Sequence, residues 1–89
     1  MSNVQYATVK KIVSRYIDSW AQDHDIEHMS DEDVFDMINN CVDSCYEMGW
    51  TEKQGDAFIA WIETSSKSAQ LAYFRKYIAQ YVKWFNGEQ

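Results

Sequence analysis

Proline is absent from this 89-residue chain and glycine occurs three times. Lacking the residue that breaks helices, and nearly lacking the one that loosens them, the chain favours long uninterrupted helices. Three scattered glycines also leave no Gly-rich loop to cradle a phosphate. Two cysteines, Cys41 and Cys45, stand four apart in a helical pattern, which does not suit a disulfide framework. With no secretory leader legible in the sequence, a reducing cytoplasm is the expected compartment. The longest unbroken apolar run, ending at Ile62, falls far short of the ~20 residues a membrane span needs, so no membrane partner is expected.

Cations are missing where the chain is most charged. Residues 18–63 hold thirteen acids against Lys53 alone, a balance of −12. Residues 1–17 carry +3 through Lys10, Lys11 and Arg15. Residues 64–89 carry +3 through Lys67, Arg75, Lys76 and Lys83 against Glu88. The net charge is −6, with basic ends and an acidic middle. Phosphate contacts need cations, so the middle is not expected to bind nucleic acid directly. The basic ends are expected to pair with it instead.

What is present is helical periodicity, and the length suits a single domain, 1–89. The stretch Leu71 to Phe85 is the one the rest is expected to pack around. Leu71, Phe74, Ile78, Tyr81, Val82 and Phe85 fall on one side of a helix, with Tyr73, Tyr77 and Trp84 in a second stripe beside them. A face that wide predicts either two neighbouring helices or a partner molecule. Tyr6, Val9, Val13, Tyr16, Ile17 and Trp20, with Ile12 at the margin, predict a first helix over about 4–23. Ser30 to Asp33 reads as a near capping box opening a second helix over 31–48, which Gly49 ends as a left-handed cap. Its apolar face is Val34, Phe35, Ile38, Cys41, Val42, Cys45 and Met48. Thr51 to Gln54 is a full capping box for a third helix, 52–64, weakened by Gly55 in its first turn. A fourth, 67–85, stops at Asn86-Gly87. The expected fold is an all-α, compact four-helix bundle, irregular to the extent that the third helix is short.

Few residues invite chemistry. His24-Asp25-Ile26-Glu27-His28 fits the H-x-x-E-H zinc spacing, and His24, His28, Cys41 and Cys45 are together a weak zinc set. The histidines read as exposed loop residues and the cysteines as core. No catalytic residue and no cofactor is expected, and the chain does not read as an enzyme.

Surface character gives the one sharp functional reading. Glu32, Asp36, Asp43 and Glu47 line the polar side of the second helix, and Asp18, Asp23, Asp25 and Glu27 stand at the end of the first. Carboxylates held in such rows imitate the phosphates of a nucleic acid and suit the basic groove of a larger host protein or nucleoprotein complex. Tyr73, Tyr77 and Trp84, with Trp50, are residue types that dominate interface hot spots and are expected to supply an aromatic patch. In size, charge and helicity the chain resembles small acidic phage proteins that block restriction or CRISPR complexes, a likeness no motif carries. The expected function is therefore a non-catalytic accessory inhibitor or modulator. The alternative is a homodimeric structural or regulatory helical protein without mimicry.

Overall fold

The computed structural model describes residues 3–47 and 49–87, with side chains from residue 5. Four helices follow in order: α1 (Asn3–Ala21), α2 (Asp31–Ser44), α3 (Glu52–Thr64) and α4 (Lys67–Phe85). The all-α four-helix architecture is as the periodicity predicts, but the centre of the bundle is α1. It packs against α3 and α4 and touches α2, while α4 closes onto α2. Being contacted on several sides explains why Ile12, assigned to the margin of its stripe, is fully buried with Val9, Val13 and Ile17. Tyr6, placed on that stripe, is exposed.

The starts of α2, α3 and α4 are fixed locally. The Ser30 hydroxyl accepts from Asp33 N–H at 3.2 Å, and three acids fill the first turn of α2, where the helix dipole favours them. Thr51 and Gln54 exchange both capping-box bonds, at 2.8 and 3.1 Å. Ser66 caps α4 by accepting from Ala69 N–H at 3.1 Å. Gly87, at φ +76°, closes its far end.

The second helix departs from expectation at both its end and its face. It stops at Ser44 rather than at residue 48. The Ser44 hydroxyl bonds back to the Asn40 carbonyl, Asn40 bonds back to Asp36, and Glu47 N–H turns in to Ser44 at 2.9 Å. Short polar side chains here compete for the backbone that a further turn would use. Gly49 keeps its expected left-handed conformation at φ +80°, after a turn rather than at a helix end. The apolar face is centred on Val34, Met37, Ile38, Cys41 and Cys45, so Phe35 and Val42 are only half-buried. Met48 lies outside the described residues.

Gln70 is the one polar residue in the described core. Its amide nitrogen donates to Ile62 and Ser65 carbonyls at 2.9 and 3.1 Å, satisfying the open end of α3 from the first turns of α4. That fixes the elbow at which α4 turns back, with Trp61 packed on Tyr73 and Phe74.

Candidate functional site

The connection between α1 and α2 is polar in sequence yet firmly held. Ile26 sinks into the core at 4% exposure. Arg75 of α4 reaches across with its Nη2 2.6 Å from Asp31 and 3.1 Å from the Met29 carbonyl, and its Nε 3.2 Å from Asp31. Within the loop, Asp25 accepts from Glu27 N–H at 3.2 Å and pairs with His28 at 2.9 Å. That pairing holds the Asp25 carboxyl below the ordinary carboxylate range and pushes the His28 imidazole up. His24 stacks on Trp20, ring centroids 4.1 Å apart, with its Nδ1 3.1 Å from the Trp20 carbonyl.

This ordered loop forms one wall of a cleft of about 640 Å³, and the first turns of α2 form the other. Asp23 and Asp25 face it from the loop, Asp33 and Asp36 from α2, and the Trp20–His24 stack lies between. No lysine or arginine lines it. Four carboxylates around one concavity focus a negative field there.

The predicted acids are thus only partly brought together. Asp23, Asp25 and Asp36 share the cleft, and Asp33, which the sequence offered only as a first-turn acid, joins them. Glu32 and Asp43 are exposed elsewhere on α2. Glu47 falls in the turn beyond the shortened helix, so the four-residue stripe ends at Asp43. Asp18 sits apart, in the groove between α1 and α4 beside Trp84, where burial raises its pKa. Glu27 lies on the flank of α4 with Arg75 and Lys83.

The predicted aromatic patch is rearranged more severely. Tyr77 is buried at 8% exposure, and Tyr73 is half-buried between Trp61 and Tyr77, at 4.8 and 5.0 Å. Trp50 is half-buried beneath the Arg15 guanidinium, 5.5 Å away, on a different connection. The cause is α3, whose Trp61 covers the upper part of the second stripe. Only Trp84 of that set is exposed, at 68%. Beside it stand Phe85, exposed at 72%, and half-buried Tyr81, both assigned by periodicity to the core stripe. Tyr81 lies 5.9 Å from Trp84 and 6.1 Å from Phe85, ring to ring. α1 turns away after Ala21, which faces Phe85 across a shallow groove, and so leaves the last turn of α4 uncovered. His24 and Asp25 border both this groove and the acidic cleft, making the two surfaces continuous.

The weak zinc set is divided. Cys41 and Cys45 are fully buried in the core, and their thiols are pushed up, chiefly by burial. Both histidines are exposed on the loop, which is not helical. Among the described residues no group of three or more His, Cys, Asp or Glu is placed to hold a metal ion.

The expected pairing of the basic ends with the acidic middle is made at one residue. Among the described residues, Arg75 with Asp31 is the single ion pair made by a lysine or arginine. Arg15, Lys67 and Lys76 lie over aromatic rings instead. No described helix is long and apolar enough to cross a membrane. Comparison of the chain with protein-family models, with curated proteins and with solved structures gives no match.

Proposed function

We propose that this chain is a non-catalytic accessory binding protein that docks on a larger host protein or nucleoprotein complex and inhibits or modulates it. The observation that carries the reading is the convergence of Asp23, Asp25, Asp33 and Asp36 on one cleft free of lysine and arginine. Carboxylates on one concavity add their fields, so a cationic group of a partner seated there meets several of them at once. The exposed row of Glu32, Asp36 and Asp43 extends the negative field along α2 in the manner of a phosphate row. The cysteines support the absence of a reaction, since a buried thiol with a raised pKa is the opposite of an activated nucleophile.

The test is capture of the partner from the native host, with the full chain as bait, followed by mass spectrometry. The captured complex is expected to dissociate steeply as salt rises. It is expected to be lost when Asp23, Asp33 and Asp36 are changed together to Asn, with helicity unchanged. A partner retained equally by that variant across the salt range overturns the reading.

A further inference from the structure

We infer that the aromatic tip of α4 is the apolar anchor for a cationic amphipathic segment of the partner protein. This rests on the docking reading above and gives the partner a chemistry. Trp84 and Phe85 are 68% and 72% exposed, on either side of Tyr81. Large aromatic surface left in water at the end of a bundle whose other rings are mostly covered is unusual for a chain of this size. Between Tyr81, Val82 and Phe85 on α4 and Ala21 and Ile26 opposite runs a groove of about 160 Å³, space for one large apolar side chain.

The rim of this apolar surface selects the occupant. Asp18 stands beside Trp84, and Asp25 and Glu27 stand beside Phe85. Across His24 and Asp25 the groove opens into the four-carboxylate cleft. Of the nearby cations, Arg75 is committed to Asp31 and His28 pairs with Asp25, while Lys83, next to the groove beside Val82 and Glu27, is outnumbered by Asp18, Asp25 and Glu27. A phospholipid surface or a nucleic-acid strand seated on the tip would press phosphates against Asp18, Asp25 and Glu27. A second copy seated there symmetrically would bring the same acidic rim against itself. A protein segment with an apolar residue on one side and lysine or arginine on the other meets both requirements, the ring contact for affinity and the rim for orientation.

The experiment is selection of a displayed random-peptide library on the immobilised full chain, run beside bare support and a Trp84→Ala/Phe85→Ala double variant. Both residues are exposed, so the variant is expected to fold; should its circular dichroism differ from the parent's, Trp84→Ser alone replaces it. Peptides enriched on the parent are expected to be net positive with at least one large apolar residue. Their synthetic forms are expected to bind the variant roughly tenfold or more weakly and to shift the Trp84 indole N–H resonance of the parent. Acidic or neutral consensus peptides overturn the inference. Cationic peptides that bind parent and variant alike, with resonance shifts confined to Trp20 and His24, also overturn it while leaving docking through the acidic cleft intact. No enrichment over bare support overturns the inference and leaves docking through the acidic cleft to the capture experiment. A concentration-dependent mass in sedimentation that Trp84→Ala abolishes assigns the tip to a second copy and overturns the inference as well.

Discussion

The ring of Tyr46 covers Gly55 so closely that a Cβ added there would lie 2.6 Å from Tyr46 Cδ1. The same tyrosine donates its hydroxyl to Asp56 at 2.6 Å, and that bond is the main reason its phenol is pushed up to about 12. Glycine in the first turn of α3 is therefore a packing requirement, although its helix propensity alone reads as a weakness.

A sign reversal follows for Gly55→Ala. In the parent chain the new methyl group displaces the Tyr46 ring and its bond to Asp56, and the variant is expected to lose about 1 kcal/mol despite alanine's better propensity. In a Tyr46→Ala background the space is open, and the same change is expected to stabilise by up to ~1 kcal/mol. Urea midpoints of the four proteins in the cycle measure both. Equal effects in the two backgrounds would show that the ring and the glycine are independent.

Gln70 offers a second test, of the α3–α4 elbow. Gln70→Leu keeps the bulk but removes both donors from the Ile62 and Ser65 carbonyls. The expected cost is about 1–3 kcal/mol, seen as a lower urea midpoint at unchanged slope. Gln70→Glu is expected to cost more at neutral pH, because a buried carboxylate would face two carbonyl oxygens. It is expected to recover toward acid pH as the carboxyl becomes protonated and can donate again. A Glu variant as stable as the parent at pH 7 would mean that the amide nitrogen is not what holds the elbow.

Most of the fold was legible because its signals are local. Capping residues at Ser30, Thr51 and Ser66 and the glycine at 87 mark helix boundaries without reference to tertiary contacts. What was not legible depended on neighbours. Periodicity places Tyr77 and Trp84 in one stripe, but only packing decides that Tyr73 and the α1 side cover the first while the last turn of α4 leaves the second in water. Asp33 could be read as a cap acid from sequence, and its part in the cleft depends on where the loop after α1 returns. Arg75 carried no periodic signal at all, since its partners stand forty-four and forty-six positions away.

The loop's charge pair makes a pH prediction whose sign follows from the two shifts. His28 is raised and Asp25 lowered, each by the other, so the pair is whole when the imidazole is protonated and the carboxyl ionised. For a histidine raised in the folded state, any stabilisation is fully present below its unfolded pKa and fades as pH rises through the folded one. For Asp25 it is present above the unfolded carboxyl pKa and fades as pH falls through the depressed folded value. In an NMR titration His28 is expected to titrate above the ordinary histidine value, and to return toward it in Asp25→Asn. An unmoved His28 titration in that variant would mean that Asp25 is not its partner in solution.

Arg75 ties the site to the bundle, and its removal separates the cleft's shape from its charge. Its guanidinium spans two acceptors, the Asp31 carboxylate and the Met29 carbonyl, from a helix on the opposite side of the loop. The carboxylate contact is largely solvent-exposed and contributes little alone, whereas the half-buried carbonyl bond is the larger part. Arg75→Ala is expected to cost about 1 kcal/mol overall. Its larger effect is expected to be local, with faster amide hydrogen exchange confined to residues 24–31 and no change in the α1–α3 contact. Arg75→Lys keeps the charge but cannot present two donors in a fixed fork, so it is expected to restore thermal stability more fully than it restores loop protection. Asp31→Asn removes the ion pair while leaving the Met29 bond, and should leave most of the protection in place. If Asp31→Asn instead loosens the loop as much as Arg75→Ala does, the ion pair and not the carbonyl bond is the tether, and the order of the two contributions is reversed.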